Sequence, residues 1–175
     1  MNRVAIFVDG GNFYHQVLAL TGRGDSELPF EGLSRALVAS RQLVRLYYYT
    51  AAIKDDGRTG SRRLLRGQHR FFSRLHSTPY AEVGLGRLVR KSDGFVQKGV
   101  DVAIAVDMLS MAYKDRYDVA VLITADSDLV GAVQHVQDLG KHVELAICSA
   151  TRAHHLRQVC DRVIDLDQIL RKLVP

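Results

Sequence analysis

The sequence lacks the features that mark secreted, zinc-finger and membrane proteins. Its 175 residues include only two cysteines, Cys148 and Cys160, and neither has a cysteine or histidine neighbour at zinc-finger spacing. We therefore expect two reduced thiols, packed inside a cytoplasmic protein. No apolar run approaches the roughly 20 residues of a membrane span. The residues from Met1 to Val4 lead directly into a strand pattern, which is not the pattern of a signal peptide.

The chain also lacks internal repeats, low-complexity tracts and linkers, so we expect residues 1–175 to form one domain. A hydrophobic fraction of 47% and a charged fraction of 25% are ordinary for a globular protein. The net charge of +5 favours an anionic partner without identifying it. The seven histidines are scattered, and we assign a metal role to none of them.

The most informative stretch is Thr124–Asp128, which carries Asp126 and Asp128. It follows the apolar run Val119–Ile123 and precedes a helical pattern. Carboxylates at this position lose hydration, and a cation, an arginine or helix N–H groups must replace it. Open α/β sheets bind ligands where strands end. We therefore treat both aspartates as candidate ligands of a cation.

Asp9 occupies an equivalent position after the apolar strand Arg3–Val8. Two glycines follow and allow a tight turn, and Asn12 opens a helix. Asp9 is either a metal ligand with Asn12 as its polar partner, or an N-terminal helix cap. The sequence leaves both interpretations open.

A third acidic stretch, Lys98–Leu109, is predicted to be a buried helix with Asp101 in its first turn. Asp107 lies six residues further on, about 240° around the helix axis, so both carboxylates cannot enter one small site. Asp101 is the better candidate. Asp107 either supports the site from behind, together with Thr124 and Ser127, or satisfies a local structural bond.

The predicted helix Ser61–His76 carries a regular row of arginines. These are Arg62, Arg66, Arg70 and Arg74, at successive i+4 positions. No acid lies at i+4 to pair with them, so the row suits a phosphate backbone, although a solvated helix face is the alternative. Tyr47–Tyr49 lie earlier in the chain, on a predicted strand. They either stack on bases or, as we favour, pack on both faces of a sheet.

Strands and helices alternate along the chain, which predicts an α/β fold with a mainly parallel sheet. Asp93-Gly94 between two β-like runs adds a small β-hairpin insertion. If the strands before Asp9 and Asp126 are neighbours, the acids converge and require a cation. Oxygen ligands without cysteine or imidazole select Mg²⁺ or Mn²⁺.

Three motifs in this order resemble those of NYN domains, which are PIN-like metal-dependent ribonuclease domains, and most closely their LabA-like (DUF88) branch. The motifs are Val8-Asp9-Gly-Gly-Asn12, Lys98-Gly-Val-Asp101-Val-Ala-Ile-Ala-Val-Asp107-Met and Ala125-Asp126-Ser-Asp128. Leu156–Asp161 resembles the closing segment of that branch. Ala125 stands where glycine is usual and Leu129 where an aromatic residue often occurs.

The resemblance implies a three-layer α/β/α PIN-like (Rossmann-like) fold and a nuclease site. Its metal ligands would be Asp9, Asp101, Asp126 and Asp128, with Asn12 as the polar companion. Lys98 matches a lysine of the motif, which either contacts phosphate or lies on the surface. PIN-like domains often pair, so a homodimer is consistent with the resemblance.

We therefore expect a Mg²⁺- or Mn²⁺-dependent ribonuclease that hydrolyses single-stranded RNA. The alternative is a non-catalytic module that binds RNA or a protein partner. A dinucleotide-binding domain is disfavoured because Gly10-Gly11 lacks the third glycine of the fingerprint. An aspartyl phosphatase is disfavoured because Gly11 takes the place of its second acid.

Overall fold

The structure is a computed structural model that describes the backbone of residues 1–52, 59–91 and 94–174, and the side chains of 1–52, 62–86 and 98–174. Residues 53–58 lie outside the described residues, as do Ser92 and Asp93 of the predicted hairpin turn.

The described chain contains seven strands and seven helices, which alternate except that α1 and α2, and β3 and β4, are consecutive. The strands are β1 (Arg3–Asp9), β2 (Gln42–Ala52), β3 (Ala81–Lys91), β4 (Gly94–Lys98), β5 (Val119–Ile123), β6 (His142–Ile147) and β7 (Arg162–Asp165). The helices are α1 (Gly10–Thr21), α2 (Phe30–Val38), α3 (Thr59–Ser77), α4 (Val100–Tyr113), α5 (Val130–Asp138), α6 (His154–Val159) and α7 (Leu166–Leu173). Single 3₁₀ turns lie at Asp25–Glu27 and at Ser127–Leu129.

The strands form one sheet in the order β4-β3-β2-β1-β5-β6-β7. All neighbouring pairs are parallel except β3 and β4, so the predicted mainly parallel sheet is confirmed. The predicted hairpin is part of this sheet, because β3 pairs with β2 along Leu46–Ala52 and β4 forms the edge.

Helices cover both faces of the sheet, as the α/β/α prediction requires. On β1, Val4, Ile6 and Val8 pack towards α1, α2, α3 and α7. Ala5 and Phe7 face the opposite layer, formed by α4, α5 and α6. Alternate residues point to opposite faces of a strand, so a continuous apolar run fills two cores at once.

The chain reverses its direction of sheet growth at β1. It proceeds from β1 to β2, β3 and β4 on one side, and then returns to add β5, β6 and β7 on the other. Val8 at the end of β1 is in register with Ile123 at the end of β5. The residues that follow these strands therefore share one crevice at the topological switch point.

Two predictions about individual elements differ from the structure. The helix α1 begins at Gly10 rather than at Asn12. The helix α4 is not buried all round, since Val102 is 59% exposed and Val106 is 56% exposed. Its opposite face packs into the core through Ile104 and Met108. Within the described residues, no helix combines the length and apolar character that crossing a membrane would need.

Candidate active site

Asp9 ends β1 and caps α1 at the same time. Its Oδ1 accepts the backbone N–H of Asn12 over 3.1 Å, which is the hydrogen bond of an N-cap. The next position requires a glycine, Gly10, because a Cβ there would lie 2.5 Å from the ring of Tyr48. Asp9 is only 7% exposed, so its carboxylate depends on protein donors for the hydration it has lost. Asp9 therefore caps the helix, which is one of its two interpretations. The cap leaves its carboxylate at the end of the strand.

Asn12 and Thr124 connect Asp9 to the end of β5. The side-chain amide of Asn12 donates to Asp9 Oδ2 over 2.6 Å, and its carbonyl oxygen accepts the N–H of Ala125. The hydroxyl of Thr124 donates to the same Asp9 oxygen over 3.0 Å. Thr124 is fully buried, so it lies behind Asp9 and holds that carboxylate from the protein side. These bonds hold the ends of β1 and β5 together.

Asp126 begins the 3₁₀ turn after β5 in the way that Asp9 begins α1. Its Oδ1 accepts the N–H of Asp128 over 3.0 Å, while its own N–H donates to the Thr124 hydroxyl. Asp126 is half-buried, whereas Ser127 and Asp128 are exposed. The turn therefore presents Asp126 towards the crevice and places Asp128 at its outer side.

Asp101 reaches the crevice from the first turn of α4, as predicted. Asp107 has a different environment, because its carboxylate accepts the hydroxyl of Tyr49 over 2.8 Å. Burial and this hydrogen bond raise the pKa of Tyr49 well above its usual range. Of the two interpretations of Asp107, the local structural bond is the one with a contact in the structure.

The acids converge on an open cleft of about 510 Å³. Its lining residues are Asp9, Gly11, Asn12, His15, Val100, Asp101 and Asp126. Three of the four predicted aspartates thus line one cleft, and Asp128 is not among them. Among the described residues, no three acidic, histidine or cysteine side chains stand close enough together to form a metal-binding group.

The comparisons with known proteins identify the family and the fold. The model of the NYN domain family matches residues 3–167. The chain belongs to the NYN domain family. Its LabA-like character is supported by the low amplitude and bright protein LabA of Synechococcus elongatus, which is 27% identical over 96% of this chain and 86% of its own length. A solved structure of a protein of unknown function from Vibrio parahaemolyticus shares the fold, with a TM-score of 0.74 at 20% identity, over 96% of this chain and 94% of its own.

In this NYN domain the arginine row lies on the exposed side of α3. Arg62, Arg66 and Arg70 are exposed, and no described acidic side chain forms an ion pair with them. Arg74 differs, because its guanidinium donates to the backbone carbonyl of Ser26. Lys98 is exposed at the end of β4 and does not line the acidic cleft. The sequence predicts Lys98 at a helix start, whereas the helix begins two residues later.

The tyrosines of β2 pack as we favoured rather than forming an open stacking surface. Tyr48 and Tyr49 are buried, and Tyr47 stacks on Phe7 with ring centroids 5.4 Å apart. The hydroxyl of Tyr48 donates to Asp25 over 2.5 Å. Burial raises the pKa of Asp25, although this hydrogen bond acts in the opposite direction.

His15 is the cleft residue that sequence reasoning missed. It follows Gly11 by four positions and Asn12 by three, so all three lie on one face of α1. That spacing is visible in the sequence. A single histidine without a second one nearby carries no signal of its own.

Proposed function

We propose that this NYN domain is a metal-dependent ribonuclease that hydrolyses phosphodiester bonds of single-stranded RNA. The observation that carries the proposal is the cleft at the switch point, where Asp9, Asp101 and Asp126 arrive from three different elements. NYN domains have a PIN-like nuclease-type fold, and the matched family covers nearly all of this chain.

The donor set fits Mg²⁺ or Mn²⁺. The lining residues offer three carboxylates and no sulfur ligand, together with one imidazole, that of His15, which the sequence argument did not include. Mg²⁺ retains several waters and is usually bound through one or two carboxylates together with substrate phosphates. Among the described residues, no three acids form a closed cage. A wide cleft of this kind is compatible with such binding. The residues that would hold the ion are Asp9, Asp101 and Asp126, with Asp128 as the fourth proposed ligand.

A bound divalent ion supplies an activated water and stabilises charge on the phosphoryl oxygens. The protein's own part is positioning. Asn12 and Thr124 fix the carboxylate of Asp9 through its Oδ2 atom. The Asp126 carboxylate keeps one oxygen on the N–H of Asp128, so its orientation is set before any ligand arrives.

The phosphate backbone would be bound on α3. Arg62, Arg66 and Arg70 are each exposed and cationic, which is what a chain of phosphates requires. Lys98 is the further candidate for a phosphate contact.

Cleavage of a labelled single-stranded RNA tests the proposal. Wild type, Asp126→Asn and the control Asp138→Asn are compared in Mg²⁺, in Mn²⁺ and in EDTA. The amide of the first variant retains an oxygen for the N–H of Asp128, so the turn should persist. Asp138 is exposed on α5, outside the cleft lining. We expect metal-dependent cleavage that disappears in Asp126→Asn alone, with RNA binding retained.

One observation favours a second candidate, a non-catalytic RNA-binding module. Asp9 already uses both carboxylate oxygens for three protein hydrogen bonds, as a structural residue would. This candidate predicts salt-dependent RNA binding without cleavage in any metal, and indifference to Asp126→Asn. That result would overturn the nuclease proposal.

A further inference from the structure

A second and larger cleft lies beside the acidic one. We call it the α3 groove; its volume is about 710 Å³, and α1, the 3₁₀ turn Asp25–Glu27 and α3 form its walls. Residues that enclose it include Tyr14, His15, Ser26, Arg63, Leu64 and Gly67. The proposed nuclease chemistry uses none of these side chains.

The α3 groove is continuous with the acidic cleft. Gly11 and His15 line both of them. A strand that crosses the carboxylates would therefore pass directly into the groove. A ligand in the groove would be one unit of the same polymer.

The lining of the groove is suited to a flat, partly polar ring. Tyr14 is 41% exposed and Leu64 is 61% exposed, so two large apolar groups face solvent at its walls. Phe71 lies deeper in the lining. Aromatic side chains stack on any base, because every base has a π-face.

The lining of the groove carries an exposed cation, Arg63, and a buried acid, Asp25, whose carboxylate accepts the hydroxyl of Tyr48. Arg70 and Arg74 follow Gly67 at i+3 and i+7, on the same side of α3. The guanidinium of Arg74 also ties α3 to Ser26 across the end of the groove. Apolar walls with an exposed cation are complementary to a nucleotide, which has a planar base and an anionic phosphate.

Gly67 keeps the groove open. It lies in the middle of α3, where glycine costs about 1 kcal/mol of helix stability relative to alanine. No atom of the described residues lies within 4 Å of the position that its Cβ would occupy, so their packing does not require a glycine there. The missing side chain is explained if the space belongs to a ligand.

We propose that the α3 groove binds the base of a nucleotide whose strand continues into the acidic cleft. This inference rests on the proposed function for the identity of the strand as RNA. The base lies against Tyr14 and Leu64, Arg63 binds an adjacent phosphate, and Gly67 provides the room.

Binding measured in EDTA tests the groove without any cleavage. The probes are a labelled six-nucleotide RNA and a strand of the same length and charge with abasic ribose at every position. The variants are Gly67→Leu, which fills the groove, and Gly131→Leu, a matched control in α5 where a Cβ also meets none of the described atoms within 4 Å. Leucine favours helix in both places, so both variants should fold. Tyr14→Ala removes the ring without filling the groove.

We expect wild type and Gly131→Leu to prefer the intact RNA over the abasic strand by about 10-fold in Kd, the scale of base stacking on an aromatic ring. Gly67→Leu should bind both strands equally, Tyr14→Ala should show a reduced preference, and all variants should bind the abasic strand alike. A preference that survives in Gly67→Leu, or one that is absent from wild type, overturns the inference. Metal-dependent cleavage is measured separately, so a groove that selects bases in a protein without nuclease activity would refute only the proposed function.

Discussion

Asn12 holds Asp9 from two directions, with its backbone N–H on Oδ1 at 3.1 Å and its side-chain amide on Oδ2 at 2.6 Å. Asn12→Ala keeps the first bond and removes the second. It also leaves the N–H of Ala125 without its acceptor. A half-satisfied buried polar group costs about 1–3 kcal/mol. Urea unfolding should show a loss of stability in that range, whereas Asn2→Ala at the exposed amino end should change it by less than about 0.5 kcal/mol.

The pair of Asp25 and Tyr48 should make stability depend on pH. Burial raises the pKa of Asp25, so the folded state favours the protonated form. The stability gained from that proton is complete below the unfolded pKa of about 3.9 and is lost as pH rises through the folded pKa. Asp25→Asn cannot ionise. We expect its free energy of unfolding, relative to wild type, to increase between pH 4 and pH 7.

Asp118 should give the opposite dependence of stability on pH. Hydrogen bonds from Arg3 hold the pKa of Asp118 well below its usual range. Its contribution is therefore present above about pH 4 and is lost as pH falls. Asp118→Asn should lose stability relative to wild type at pH 7 and approach wild type in acid. Slopes of the same sign would contradict one of the two assignments, and a stability difference independent of pH in both variants would contradict both.

The ion pair between Arg41 and Glu144 should contribute more to the stability of the fold than the exposed ion pairs do. Two parallel hydrogen bonds of 3.0 Å join the guanidinium to the carboxylate, whose side chain is only 10% exposed. Arg41→Met leaves that carboxylate buried without its main partner, which costs about 3–5 kcal/mol. Arg162, 3.7 Å from Glu144, should keep the loss near the lower end.

Arg35→Met is the matched control for that prediction. Arg35 forms an exposed i,i+4 pair with Glu31, and such pairs contribute roughly 0.3–0.5 kcal/mol. Denaturant midpoints of the two variants make the comparison. Similar midpoints would mean that the Glu144 pair is no more important to the fold than a surface contact.

The arginine row should control the salt dependence of RNA binding. Arg66→Ala with Arg70→Ala removes two exposed cations from α3. The slope of log K against log salt for a single strand should decrease by about 0.7 for each phosphate that is no longer neutralised. Lys114→Ala with Arg116→Ala removes the same charge from the exposed segment after α4. If both double variants weaken binding equally, α3 holds no privileged phosphate site.

The two cysteines should resist thiol reagents in the folded protein. Burial raises the pKa of Cys148 and of Cys160 to about 12. The reactive species is the thiolate, so at pH 8 only a fraction on the order of one in ten thousand is available. Reaction with a disulfide reagent should be at least about 100-fold slower in buffer than in urea. Fast reaction of one thiol in buffer would show that it is accessible and ionised.

The parts of this protein that sequence predicts well are those with local causes. An apolar run followed by Asp9 and two glycines specifies both a buried strand end and a helix cap, and the structure contains both. The apolar run before Asp126 likewise specifies a buried strand end. The sequence does not show that these two strands are neighbours, because the order of strands depends on which helices cover which face of the sheet.

Other features depend on long-range contacts that no spacing reveals. Tyr48 donates a hydrogen bond to Asp25 across 23 positions, and Asp25 begins a 3₁₀ turn. Asp107 contacts Tyr49 across 58 positions. In each case the partner is visible in the sequence but the pairing is not.

The acidic cleft joins the interior of the sheet to its margin. Asp9 ends β1 and Asp126 follows β5, both in the interior of the sheet, whereas Asp101 stands three residues after the edge strand β4, beyond Gly99 in a left-handed conformation. Val100 secures this connection by packing where a side chain on Gly86 of β3 would clash with it. The position of the third carboxylate therefore depends on the margin of the sheet.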